Sequence, residues 1–140
     1  MELGEGMRAV RIPPQDDGWL GFDLAEVMSA VGDRDDLRWF LRFASFNGDV
    51  SAVWSDGIDR VEANSRLVDG VPMTWEQMRR LAAACTQIID GEFRGYQDGQ
   101  LRLRLEVIDS SYWVVTADDP QALTSVRLAF HGVTNDPQLT

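Results

Sequence analysis

The sequence predicts an α+β fold of two layers: a mostly antiparallel sheet, made of two hairpins plus added strands, with three helices packed on one face. Three observations predict it. Helix-start chemistry occurs at Asp23, Thr74 and Asp119, each followed by apolar residues three and four apart. Two stretches of alternating apolar residues, 37–54 and 93–108, each contain a turn dipeptide, Asn47-Gly48 and Asp98-Gly99. The chain of 140 residues suits a single domain over 1–140, burying roughly 68–70% of its unfolded surface.

Met7 to Ile12 reads as a short edge strand that Pro13-Pro14 ends. In the first helix Asp23 caps, Glu26 lies three residues on, and Leu24, Val27, Met28 and Val31 form one apolar stripe. Leu37 to Phe46 then reads as a strand. A two-residue Asn47-Gly48 turn folds it back, so that Leu37, Trp39, Leu41, Phe43, Val50, Ala52 and Trp54 share the inward face. Arg38, Phe40 and Arg42 take the opposite face. Residues 55–70 fit neither period and are expected to be irregular, with one short strand.

Thr74 opens the central helix with a capping box completed by Gln77, and Met73 is placed to staple to Met78. Its apolar face, Trp75, Met78, Leu81, Ala82, Cys85, Ile88 and Ile89, is expected to run to a stop at Asp90-Gly91. In the second hairpin a two-residue turn would put Arg94 and Tyr96 on the face of Leu101, Leu103 and Leu105. A three-residue loop, Gln97-Asp98-Gly99, instead pairs Phe93 with Leu103 and Arg94 with Arg102, and is the expectation. After a turn at Asp109-Ser110-Ser111, Trp113 and Val115 should point inward. Asp119 caps the last helix with Pro120 at its first position, and Leu123, Val126, Ala129 and Phe130 supply the buried side. Residues 1–6 and 134–140 are expected to be frayed ends.

Composition removes several function classes. The net charge is −10, with three Arg against nine acids in residues 1–36, six against six in 37–80 and four against eight in 81–140. That balance argues against nucleic acid as a partner. All 13 basic residues are arginine, which fits a GC-rich bacterial coding sequence. The absence of lysine removes Schiff-base chemistry, a P-loop lysine and a Ser-Lys dyad. One cysteine, Cys85, and one histidine, His131, exclude a zinc site and an internal disulfide. No apolar run approaches the ~18 residues of a membrane helix, and no secretory leader is present, so a soluble cytoplasmic protein with no membrane partner is expected.

The candidate chemical groups have plainer readings. The five Asp-Gly pairs, at Asp17, Asp56, Asp69, Asp90 and Asp98, are turn residues before they are ligands. Asp56, Asp59 and Glu62 recur every third residue, yet a solvated charged face explains them better than a cation site. His131 suits a helix C-terminus, and no Gly-x-Ser-x-Gly elbow accompanies it. No catalytic residue, metal or cofactor follows from the chain. What remains is a consequence of strand parity: Arg38, Phe40 and Arg42 on the first hairpin, and Arg94, Tyr96, Arg102 and Arg104 on the second, all face away from the core. Arginine and aromatic residues are the types enriched where proteins meet; the competing reading is a solvated face with cross-strand Arg–Glu106 pairs.

The expected function is therefore a protein-binding or inhibitory (immunity-type) module without catalysis, meeting a basic protein partner or a second copy of itself. The alternative is a small-molecule binding domain with an aromatic-lined cavity built from Trp19, Trp54 or Trp113. An enzyme using carboxylates alone ranks last.

Overall fold

The computed structural model describes residues 6–15, 23–48, 50–51, 53–54, 58–84 and 87–136. It has an α+β fold built on one seven-stranded sheet, in the order β3-β2-β4-β5-β6-β1-β7, with every pair antiparallel. The strands are β1 (Arg8–Ile12), β2 (Arg38–Asn47), β3 (Val71–Met73), β4 (Gln87–Gln97), β5 (Gln100–Ile108), β6 (Tyr112–Ala117) and β7 (Thr134–Asn135). Four helices accompany them: α1 (Leu24–Val31), α2 (Ile58–Ser65), α3 (Trp75–Ala83) and α4 (Pro120–Ala129).

The helix starts form as their sequences dictate. Asp23 Oδ1 accepts from the amides of Ala25 and Glu26, and Asp119 Oδ1 accepts from that of Gln121. Thr74 and Gln77 close the capping box, with bonds of 3.0 and 2.9 Å. Leu24, Val27, Met28 and Val31 of α1, Trp75, Met78 and Leu81 of α3, and Ala122, Leu123 and Val126 of α4 share one core with the sheet. The sheet contributes Ile12, Trp39, Leu41, Phe93, Leu103, Leu105, Trp113 and Val115, so the inward parity expected of β2, β5 and β6 holds at these positions. Trp39 stacks on Trp75 with ring centroids 5.5 Å apart, and its indole N–H donates to the Arg34 carbonyl. Opposite Trp39 the sheet has Gly95, where an added Cβ would lie 2.8 Å from Leu37 and 3.0 Å from the Trp39 ring. A large ring on one strand requires this small residue on the next.

Five local expectations need correction. Helix α3 stops at Ala83, and Ile88 and Ile89 enter β4, where Ile88 lies opposite Phe46 of β2. Both isoleucines fit a helical stripe, but β-branched side chains favour a pleated surface and pairing with β2 decides the matter. Asp90-Gly91 is accordingly strand interior; Cys85 lies outside the described residues. Second, Asn47-Gly48 does not lead into a return strand among the described residues: the amides of Val53 and Trp54 both bond the Val50 carbonyl. The flank of β2 that would receive such a strand is taken by α2, a helix where irregular chain or a strand was expected. Ser65 Oγ accepts from the amide of Ala44, and Glu62 Oε2 from that of Phe46.

Third, β2 carries a bulge between Arg42 and Ser45. Phe43 takes φ 55° and turns out of the core, and Ala44 and Phe46 are buried instead. Fourth, the second hairpin solves its parity differently. Asp98 and Gly99 both have positive φ, as a two-residue I′ turn requires, and Gln97 lies opposite Gln100. A bulge then restores the faces, because Tyr96 opposes Leu101 while Gly95 opposes Leu103. Phe93 therefore meets Leu105, and Arg94 meets Arg104. Fifth, β1 is not an edge and residues 134–136 are not frayed: Thr134 and Asn135 pair with β1, and the Asp136 amide donates to the Ala9 carbonyl.

Candidate functional site

The arginine face divides into two environments. Toward β5 and β6 it is enclosed. Glu92 and Arg104 are buried, and the side chain of Arg94 is only 12% exposed. The direct cross-strand pairs are like-charged, Arg94 with Arg104 and Glu92 with Glu106, an arrangement that repels. Glu92 resolves it with one contact along β4 and one diagonally across to β5: its Oε1 lies 2.7 Å from Arg94 Nε, and its Oε2 lies 3.4 Å from Arg104 Nη1. Arg104 Nη2 also donates to Thr116 Oγ1.

Glu92, and not Glu106, is thus the carboxylate that the central arginines share. Burial pushes the Glu106 carboxyl above the usual range, against the pull of Arg104 and Arg94 and with the push of Glu92 and Asp136. Burial lowers the proton affinity of Arg94, but Glu92 and Tyr96 more than offset this and its pKa is raised. Arg104 is part of this enclosed network and not of an open surface, contrary to the expectation for it. Arg102 stands in the bulged stretch of β5 and bonds Asp118 Oδ2 at 2.7 Å. It is engaged there, away from the remaining five.

Toward β3 the face opens. Arg38, Phe40 and Arg42 of β2 and Arg94 and Tyr96 of β4 line one cleft of ≈ 510 Å³. The register makes this unavoidable, since Arg38 opposes Tyr96 and Phe40 opposes Arg94. Phe40 and Tyr96 meet edge to face at 5.8 Å and 76°, a favoured aromatic geometry. The Arg38 guanidinium lies 5.8 Å above the Phe40 ring, and that of Arg42 lies 4.5 Å above Phe43. Neither Arg38 nor Arg42 has a carboxylate partner among the described residues, and Arg42 Nε is buried with no hydrogen bond. Val68, Asp69, Asp98 and Gly99 complete the rim.

Sequence reasoning missed the apolar side of this site. Phe43 is 48% exposed, Leu67 61% and Val68 85%, and they are three of the four large apolar side chains exposed among the described residues. Gly70 brings the loop of Leu67 and Val68 onto β2: it has φ 73°, and an added Cβ would meet the Leu41 carbonyl oxygen at 2.4 Å and Arg42 Cγ at 2.8 Å. The positive φ and Asp69-Gly70 were legible as a turn, but nothing local tied that turn to β2.

Other candidates stay apart from the cleft. Trp113 is buried in the core and Trp54 packs on Phe46 at 6.2 Å; Trp19 lies outside the described residues. Glu62 caps the β2 edge, Asp56 is outside the described residues, and no group of three potential metal-ligating side chains converges among those described. His131 is exposed, and its backbone exchanges two hydrogen bonds with the Gln15 side chain. Among the described residues no helix is long and apolar enough to cross a membrane. No family model, curated protein or solved structure matches this chain.

Proposed function

We propose that this protein is a non-enzymatic protein-binding module that docks its partner at the cleft between β2, β4 and the loop before β3. One observation carries the reading. In a chain with a net charge of −10, Arg38 and Arg42 stay without a carboxylate partner among the described residues, with the exposed Val68 lining the same cleft and the exposed Phe43 against Arg42. Charge-matched neighbours are abundant, yet two guanidinium groups are held by aromatic rings instead. Arginine, tyrosine and tryptophan dominate binding energy at protein interfaces, and clustered exposed apolar groups mark such surfaces.

The acidic balance still favours a partner that is basic overall, since net charge steers encounter from a distance. At the point of contact the cleft calls for an acidic group. An inhibitory, immunity-type role fits this pairing of long-range and local charge. The lone cysteine and the all-arginine basic complement fit a cytoplasmic bacterial protein. Affinity capture from the host tests the reading: a partner protein should stay on the wild type, and be lost from an Arg38→Glu/Arg42→Glu variant and at high salt. A partner held equally by both proteins would refute docking at this face.

A second reading rests on the size of the cleft, which falls in the ~300–1,000 Å³ range of small-molecule sites. An anionic metabolite would then raise the Tm of the wild type by native-state binding, and not that of the double variant.

A further inference from the structure

Resting on the protein-binding reading, we infer that the partner enters the cleft with an acidic segment in which two carboxylates about 13 Å apart flank one apolar side chain. The spacing comes from β2. Arg38, Phe40 and Arg42 stand at alternate positions of one strand, and a strand rises ~3.3 Å per residue, which places the two arginines about 13 Å apart with a ring between them. One face of each guanidinium group lies against an aromatic ring, Phe40 for Arg38 and Phe43 for Arg42. Their edges, where the N–H donors lie, are what remains for a carboxylate. Arg94 is already occupied by Glu92 at 2.7 Å, so the two attractive points are Arg38 and Arg42. An extended segment of the pattern acid–x–apolar–x–acid repeats its same-side groups with the period of β2 itself and matches all three positions.

The neighbouring sheet edges favour an approach over the face and not as an added strand. On β3, Pro72 offers no amide, and on β2 the Ala44 and Phe46 amides are taken by Ser65 and Glu62. Asp69 and Asp98 on the rim repel any further carboxylate, which restricts the acids of the partner to the two arginine positions.

The test uses the full chain and three capped pentapeptides, titrated by NMR chemical shift. One has acids at both ends and phenylalanine at the centre; one has the same composition with the acids adjacent; one has glutamines for acids. The spaced peptide should bind most tightly, and Arg38→Gln and Arg42→Gln should each weaken it about five- to tenfold. Asp69→Asn should tighten it. Equal affinity of the two acidic peptides overturns the spacing and leaves the acidic contact. Binding that ignores both arginines, or no binding of either acidic peptide at millimolar concentration, overturns the acidic segment. In that case, loss of the captured protein on the Arg38→Glu/Arg42→Glu variant would still uphold the module.

Discussion

Ser65→Ala removes one oxygen at the flank of β2. The Ser65 side chain is fully buried; its Oγ accepts from the Ala44 amide at 3.0 Å and donates to the Glu62 carbonyl at 2.7 Å. The substitution keeps the backbone and leaves almost no void, so packing changes little. What it leaves is a buried amide with no partner, which costs about 1–3 kcal/mol. For a chain of this size that corresponds to a fall in Tm of roughly 3–10 °C. Urea unfolding followed by tryptophan fluorescence measures it, with the slope m unchanged if the loss is local. A second readout is the edge itself: freeing the Ala44 amide unblocks β2 for intermolecular pairing, so light scattering on heating should begin earlier than the lost stability accounts for. A loss below about 0.5 kcal/mol, the level of an ordinary surface change, would refute the role given to this hydroxyl.

Gly95→Val should be severely destabilising, by about 3 kcal/mol or more, because the Cβ alone meets Leu37 at 2.8 Å and the Trp39 ring at 3.0 Å; near-ultraviolet circular dichroism should show the Trp39 signal altered. Glu92→Gln weakens the contact shared by Arg94 and Arg104 inside the sheet face, and breaking a buried pair costs about 3–5 kcal/mol; a change under about 1 kcal/mol by urea unfolding would contradict the arrangement drawn for it. Glu26 supplies a pH effect. Its hydrogen bond with the Asp23 carboxyl, then burial, then the charge of Asp23 push its pKa up to about 7 from 4.5. The folded state therefore holds a proton that the unfolded chain has released, so this contribution is full below pH 4.5 and is lost as pH rises through about 7. The difference in Tm between wild type and Glu26→Gln should change across that window and be flat above it.

Local chemistry was legible and long-range decisions were not. The caps at Asp23, Thr74 and Asp119 could be placed because each needs only the amides of the next three residues. The inward set of Trp39, Leu41, Leu103 and Leu105 followed from alternation, and with it the outward Arg38, Phe40 and Arg42. Ile88 and Ile89 suit both periods, and Phe46, the partner of Ile88 on β2, lies some forty positions away in the chain. Phe43 left its expected face through the bulge between Arg42 and Ser45. Helix α2 itself, mostly polar with Val61 in the core, gives little apolar stripe to read. Arg104 had the right parity for the surface, but its enclosure depends on a diagonal contact with Glu92 that no pattern within β5 discloses. Val68 belongs to the site only through the approach of Gly70 to Arg42.

Strand β2 up to its bulge, with Leu37 just before it, carries two messages on alternate letters: Leu37, Trp39 and Leu41 address the interior, while Arg38, Phe40 and Arg42 face the cleft. The two sets share a backbone and point to opposite faces of the sheet, so substitution of the outer three leaves the inner three in the core. If docking uses this face as proposed, recognition is separable from foldedness. A lineage, or a designer, could retarget it by exchanging alternate residues of one strand while the tryptophan-centred interior stays as it is.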